Sequence, residues 1–179
     1  MDPRTTKTAF DEFLARSGSG FLGIVIGGTA LALMGIAIRP TRDCDVLDPP
    51  ISAELMAHAK AFAAQQRALG DPLADDWFNA EPASLTGVLP IGWRDRLIDA
   101  FSGRTLRLRT LGRSDLLATK LFALCDRGTD LNDCLAFAPT SDELAAAQPW
   151  LEQQDLHPAW PTHTRIVIAD LAQRLSHGV

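Results

Sequence analysis

The feature that most constrains the fold is an eighteen-residue stretch without a charged side chain, FLGIVIGGTALALMGIAI, at residues 21–38. This is the length at which a membrane-spanning helix becomes a candidate. Four glycines interrupt the stretch, and β-branched residues are concentrated in its first half, whereas Ala and Leu dominate its second half. Such a change predicts a buried strand, a glycine turn and a buried helix. We therefore expect the core of a soluble α/β domain with no membrane span.

The charge distribution restricts the partners that the chain can bind. The 179 residues carry a formal net charge of -5, so long-range attraction to nucleic acid or to anionic membranes is not expected. Residues 92–127 differ, with eight Lys or Arg against four Asp, and would bind a polyphosphate locally. The three cysteines form no C-x-x-C pair, which favours a reduced, cytoplasmic protein over a disulfide framework or a zinc site.

Hydrophobic periodicity predicts the order of the elements. The predicted order is a first helix that ends at Gly18, strand 21–26, short helix 29–35, strand 43–48, helix 52–69 with Ser52 as N-cap, an irregular region at 71–92, strand 104–111, helix 114–128 with Ser114 as N-cap, and helices 130–138, 141–153 and 162–178. This order predicts an α+β fold, in which a small mixed β-sheet is flanked by helices and followed by an α-helical C-terminal part. Residues 1–112 would form the α/β core, and residues 113–179 a helical region packed on it.

Two glycines stand between the first predicted strand and the helix that follows it. Because they lack a Cβ, Gly27 and Gly28 let backbone N–H groups approach a ligand, and the N-terminus of the next helix adds a partial positive charge. Phosphate is the ligand that such a turn suits. The alternative is that the glycines form only a tight turn.

Two aspartates lie on the next predicted strand. Asp43 and Asp45 are two positions apart, so their side chains point to one face, with Cα atoms about 6.6 Å apart, and Cys44 points to the other. Adjacent carboxylates repel each other unless a cation neutralises them, and their hard oxygens suit Mg²⁺. The alternative is a solvated strand end. A phosphate-binding turn beside a Mg²⁺ site is what transfer from a nucleoside triphosphate requires.

These segments are similar to a known family. GGTALAL and TRDCDVL, with Arg39 between them, resemble the G-[GS]-x(n)-D-x-[DE] signature of the DNA polymerase β-like nucleotidyltransferases, and most closely their AbiEii-type and minimal nucleotidyltransferase branches. Residues 114–137, SDLLATKLFALCDRGTDLNDCLAF, resemble the part of those branches in which a lysine-bearing helix precedes an acidic helix. The resemblance spans roughly residues 20–140 and implies a nucleotidyltransferase-like fold.

The resemblance also implies a site. By this resemblance, Gly27, Gly28 and Thr29 would contact the triphosphate. Asp43 and Asp45 would hold Mg²⁺ and act in catalysis. The activity implied is Mg²⁺-dependent transfer of a nucleoside monophosphate from a nucleoside triphosphate to a hydroxyl of RNA, protein or a small molecule. Proteins of these branches often serve as the toxin of a toxin–antitoxin or phage-defence pair, which implies a cognate antitoxin.

The helical segment supplies further nucleotide-binding candidates. By the resemblance, Lys120 would steady a phosphate or the nucleobase end of the nucleotide, and Asp130 and Asp133 fall on the matching acidic positions. Taken alone, Lys120 is equally a surface lysine with a buried stem. Thr129 stands where the family pattern has an arginine, and Arg127 would reach the same space.

One expected residue is missing from its expected place. Family members that transfer nucleotides usually carry a third carboxylate on a later strand, where it deprotonates the acceptor hydroxyl. The candidate strand, 104–111, has none, and Glu81, Asp95 and Asp99 remain as alternatives on loops. The second hypothesis is therefore a catalytically degenerate module that holds a nucleotide or a partner without chemistry.

Two further groups of residues have two interpretations each. Arg107 and Arg109 would bind a triphosphate or an RNA backbone, or they would form the solvated face of an edge strand. Trp77 and Phe78 would stack on a base, or they would belong to the core, and Asn79 beside them is a candidate polar contact.

Overall fold

The computed structural model describes residues 3–36, 41 and 43–177. Within these ranges the α-helices are α1 Pro3–Arg16, α2 Gly27–Leu33, α3 Ala53–Ala68, α4 Arg113–Arg127, α5 Leu131–Phe137, α6 Ser141–Leu151 and α7 Trp160–His177, and the strands are β1 Phe21–Ile26, β2 Cys44–Asp48, β3 Phe78–Asn79, β4 Ile98–Ser102 and β5 Leu106–Thr110. Two 3₁₀ segments cover Glu81–Gly87 and Trp93–Arg96. None of the helices described is both long and apolar enough to cross a membrane.

The five strands form one mixed sheet in the order β3-β2-β1-β5-β4. β1 pairs in parallel with β5 and antiparallel with β2. β3 pairs in parallel with β2, and β4 pairs antiparallel with β5. The predicted α+β class, a small mixed sheet flanked by helices with a helical C-terminal part, is confirmed. The proposed division between residues 112 and 113 stays a prediction.

Alternating side chains bury both faces of the sheet. Val25 and Val46 point to the back face, where α1 and α3 pack with an aromatic cluster that includes Trp77 and Phe78. Ile26 points to the front face, which packs against apolar side chains of α4 to α7. Because Trp77 and Phe78 are fully buried in this cluster, they belong to the core and do not form a base-stacking platform.

The charge-free stretch forms a strand and a helix as predicted. β1 covers residues 21–26 and α2 begins directly at Gly27, two residues before the predicted start. Residues 37–40 lie outside the described residues.

Two details differ from expectation. The sequence did not predict β4, because IDAFS shows no clear alternation of apolar and polar residues. The alternation is interrupted by a register shift between Asp99 and Phe101. β4, not β5, is therefore an edge strand, so the edge position expected for Arg107 and Arg109 is wrong, although Arg107 is exposed. The N-cap of α4 is Gly112, not Ser114, and a Cβ at Gly112 would stand 2.6 Å from the carbonyl oxygen of Arg96.

A single carboxylate ties α1 to the β4–β5 turn. Asp11 accepts hydrogen bonds from the backbone N–H groups of Arg104, Thr105 and Leu106, at 2.9, 2.7 and 2.6 Å, and from the Thr105 hydroxyl at 3.0 Å. Burial raises the pKa of Asp11, but these donors lower it more, so the net pKa lies below its ordinary value. Gly103 is required beside it, because a Cβ there would collide with the carboxylate.

Candidate functional site

Six of the eight predicted site residues line one pocket of about 510 Å³, a volume in the range of small-molecule sites; Thr29 and Asp133 do not line it. Its walls come from the start of α2, the residues around the start of β2, the 3₁₀ segment Glu81–Gly87, and α4 with the loop after it. The polar residues and glycines that line it are Gly27, Gly28, Thr41, Asp43, Asp45, Glu81, Ser84, Thr119, Lys120, Asp126, Arg127 and Asp130. Segments far apart in the sequence thus converge on one cavity.

The two glycines are required by close contacts as well as by the turn. Gly27 has a φ of 69°, in the left-handed region that favours glycine. A Cβ at Gly27 would collide with Oδ2 of Asp45, and a Cβ at Gly28 would stand 3.1 Å from Oγ1 of Thr41. The glycine turn therefore lies directly against Asp45, one of the two predicted metal ligands.

The aspartate pair lines the pocket from β2 and the residue before it. Asp45 pairs with Ile26 of β1 and points to the front face, whereas Cys44 is buried on the back face, as the alternation predicts. Asp43 precedes β2 and is exposed. Burial, together with the charges of Asp43 and Glu81, raises the pKa of the Asp45 carboxyl above its ordinary value, although a hydrogen bond from Asn79 opposes the shift. A bound cation would relieve this unfavourable burial of negative charge.

Thr29 lies behind the wall of the pocket. Its side chain is fully buried, and its hydroxyl donates a hydrogen bond to the backbone carbonyl of Asp43. The side chain does not line the cavity. In the structure Thr29 therefore fixes the segment that carries Asp43 against α2. Arg39, which belongs to the sequence signature, lies outside the described residues.

The three candidates of the helical segment form an ion-pair cluster. Nζ of Lys120 lies 2.8 Å from Oδ2 of Asp133 and 3.3 Å from Oδ2 of Asp130. Lys120 is only 6% exposed, so it is not a solvated surface lysine, and Asp133 is buried behind it. Lys120, Asp130 and Arg127 line the pocket. A phosphate in the pocket would therefore share Lys120 with these aspartates.

Of the three alternative acids, only Glu81 lines the pocket. Asp99 lies on β4, where its carboxylate is 3.6 Å from Nε of Arg109, and Asp95 lies in the 3₁₀ segment Trp93–Arg96. Neither of them lines the cavity. Strand β5, which was expected to be the place of the third acid, does not adjoin Asp45, because β1 separates β5 from β2. The strand that adjoins β2 on its other side is β3, which ends at Asn79.

The sequence indicated Asn79 and Glu81 as candidates, but it did not reveal the rest of the wall that follows them, Pro82, Ser84 and Leu85. Asn79 donates to Oδ1 of Asp45 at 3.1 Å, and Pro82, Ser84 and Leu85 line the pocket. A strand of two residues is too short to show any period, so the only signal was polar residues next to a buried aromatic pair. Among the residues that the structure describes, no group of three or more His, Cys, Asp or Glu is arranged to hold a metal ion.

Comparison with protein families gives one match. A family model described as "Nucleotidyltransferase of unknown function (DUF6036)" matches residues 11–138. This span contains every predicted site residue and most of the pocket's elements, from β1 to α5. No curated protein and no solved structure is significantly similar to the chain.

Proposed function

Because the chain belongs to the DUF6036 family of nucleotidyltransferases, we propose that it moves a nucleoside monophosphate from a nucleoside triphosphate to an acceptor hydroxyl at this pocket. One observation carries the proposal: the Gly27-Gly28 turn, the Asp43 and Asp45 carboxylates and Lys120 line the same cavity. Binding phosphates, neutralising their charge and holding them in place are the main tasks of such a catalyst.

The donors fit a hard divalent cation. Asp43 and Asp45 both line the pocket with carboxylate oxygens, the pKa of Asp45 is raised mainly by burial, and Oδ2 of Asp45 packs directly against Gly27. We propose that these two residues hold Mg²⁺. When bound, Mg²⁺ would neutralise charge on the phosphates of the nucleotide.

The remaining residues would bind the nucleotide and remove the proton of the acceptor hydroxyl. Gly27 and Gly28 would present their backbone to the phosphates, and Lys120 on α4 supplies positive charge from another wall of the pocket. The acceptor oxygen forms a bond to the α-phosphorus while the bond from that phosphorus to the bridging oxygen breaks, so pyrophosphate leaves. We propose that the Glu81 carboxylate takes the proton of the acceptor hydroxyl, because it is the acid on the wall next to Asp45.

Transfer of label tests the proposal. The purified protein is incubated with each of the four α-³²P nucleoside triphosphates and Mg²⁺, together with total RNA, with protein or with small hydroxyl compounds. We expect label on one class of acceptor and its loss in Asp43→Asn and Asp45→Asn. Glu81→Gln should lower the rate by about a hundredfold, in the range of general-base effects. Asp99→Asn is the matched control, because Asp99 is an exposed acid outside the pocket.

One observation favours a second candidate function. The described residues contain no three-acid metal group, as expected for a degenerate member that holds a nucleotide without transferring it. Nucleotide binding that depends on Mg²⁺ but gives no labelled product with any acceptor class would support this module and would overturn the transferase.

The resemblance to the AbiEii-type branch supports a biological role that we also propose, that of a toxin restrained by a cognate antitoxin. Its test is induced expression in bacterial cells. Growth arrest by the wild type but not by Asp45→Asn would support the role, and equal growth of both strains would contradict it.

A further inference from the structure

The outermost strand of the sheet places an amide beside the aspartate pair. β3 consists only of Phe78 and Asn79, and it pairs in parallel with β2, so that Asn79 stands opposite Asp45. Phe78 is fully buried on the back face, with ring centroids 5.4 to 5.6 Å from three aromatic neighbours: Phe10, Phe21 and Trp77. Because side chains alternate along a strand, Asn79 points to the front face, toward the pocket.

The amide of Asn79 connects Asp45 to Glu81. Its Nδ2 donates to Oδ1 of Asp45 at 3.1 Å and, more weakly, to the backbone carbonyl of Asp76 at 3.5 Å, and its Oδ1 accepts from the backbone N–H of Glu81 at 3.1 Å. A carboxylate at position 79 has no proton to donate to Asp45, and an ammonium group has no lone pair for the N–H of Glu81. A carboxamide satisfies both partners, which also fixes its orientation.

These bonds determine what each acid presents to the cavity. Asn79 occupies Oδ1 of Asp45, whereas Oδ2 lies against Gly27 at the glycine turn. Glu81 opens the 3₁₀ segment Glu81–Gly87, whose residues form one wall of the pocket. One side chain therefore connects the β2 carboxylate to the start of the wall that carries the proposed base.

We propose that Asn79 is a positioning residue, which turns Oδ2 of Asp45 toward the metal and the phosphates and fixes the place of Glu81. The inference rests on the function proposed above. Asn79 also fills the place next to Asp45 with a neutral donor, so no third negative charge is added beside Asp43 and Asp45. The site then binds its cation through two carboxylates and orients one of them through an amide.

Two substitutions separate positioning from metal ligation. Asn79→Ala removes all three side-chain hydrogen bonds, including those to Asp45 and Glu81, and Asn79→Asp keeps the size but replaces the donor with a carboxylate. Asp76→Asn is the control, because Asp76 is exposed and lies three residues away. This substitution involves the same two residue types as Asn79→Asp, in the reverse direction. The readouts are Mn²⁺ binding without nucleotide, followed by electron paramagnetic resonance, and kcat and KM for label transfer. Thermal unfolding verifies that each variant is folded.

We expect both Asn79 variants to bind Mn²⁺ about tenfold more weakly and to lose at least about tenfold in kcat, with KM for the nucleotide changed less than about twofold. Asp76→Asn should match the wild type. An Asn79→Asp protein that matches the wild type would show that a carboxylate serves equally well there, and would overturn the inference. So would an Asn79→Ala protein with unchanged Mn²⁺ binding and kcat.

The two proposals fail in distinguishable ways. If the wild type binds Mn²⁺ but transfers no label, the transferase is overturned, and the Mn²⁺ affinities of the two variants still decide the role of Asn79. If the wild type is active and the variants equal it, only the role of Asn79 is overturned. If the wild type neither binds Mn²⁺ nor transfers label, both proposals are overturned.

Discussion

Oδ2 of Asp45 occupies the space in which a Cβ of Gly27 would stand. The glycine turn after β1 and the carboxylate of β2 are therefore packed against each other, and a side chain at position 27 would displace that carboxylate. Because Gly27 also has a φ of 69°, its replacement combines backbone strain with a collision at the metal site.

The first prediction concerns Gly27→Ala. We expect it to abolish label transfer and Mn²⁺ binding, because the new methyl group displaces Asp45. Gly18→Ala is the matched control: Gly18 has a similar φ of 66°, but nothing lies within 4 Å of the added methyl group. The control should lose about 1–2 kcal/mol of unfolding free energy and keep its activity. Equal activity of the two variants would contradict the packing described above.

The second prediction is that Asp45→Asn removes function without a loss of stability. Its pKa is raised mainly by burial, so the folded chain holds the Asp45 proton more tightly than the unfolded chain does. Ionisation as the pH rises from the ordinary value of 3.8 through the raised pKa therefore costs stability.

In buffer with a chelator at pH 7, the unfolding midpoint of Asp45→Asn should equal or exceed that of the wild type, by up to about 3 °C. Asp48→Asn is the control, and it should lower the unfolding midpoint, because it weakens the 2.9 Å ion pair with Arg94. Added Mg²⁺ should raise the midpoint of the wild type only. A clearly lower midpoint for Asp45→Asn in the chelator would contradict the prediction.

The third prediction concerns Asp11, whose pKa is shifted in the other direction. Its donors hold the pKa below the ordinary value of 3.8, so its contribution to stability is present above that pH and is lost as the pH falls. Asp11→Asn should lower the unfolding free energy by about 2–3 kcal/mol at pH 7. The loss relative to the wild type should shrink at low pH.

Urea unfolding between pH 3 and pH 7 checks the prediction for Asp11. Glu12→Gln is the control, since Glu12 is the exposed neighbour on α1. A constant difference between wild type and Asp11→Asn at every pH would contradict the assigned sign.

The fourth prediction is that Lys120 serves stability as well as binding. Lys120→Met removes a charge that lies 2.8 Å from the buried Asp133 carboxylate, at an expected cost of about 3 kcal/mol. The double variant with Asp133→Asn should regain part of this loss. Lys60→Met, on the exposed side of α3, should change stability by less than about 0.5 kcal/mol. Chemical denaturation of the four proteins provides the test, and a fully stable Lys120→Met would contradict it.

The sequence supported the prediction of β1, the glycine turn and the aspartate pair because these features are local. In β1, five apolar residues around one glycine predict a buried strand. In β2, the two-residue period of side chains in a strand predicts that Asp45 and Cys44 point to opposite faces. The fold class followed from the order of such elements.

The partners of these elements could not be predicted, because they depend on strand order and on side-chain contacts. Nothing in residues 104–111 reveals that β1 separates them from β2, and a two-residue β3 shows no period by which to place Asn79 beside Asp45. The ion pairs of Lys120 likewise depend on how α4 and α5 pack.

The most direct test of the account compares α-³²P with γ-³²P label from the same nucleoside triphosphate, in the presence of Mg²⁺ and an acceptor. We expect α-label to become attached to the acceptor and this attachment to disappear in Asp45→Asn, while γ-label is released as pyrophosphate. Attachment of the γ-label instead, or of neither label with any acceptor, would contradict nucleotidyl transfer at this pocket.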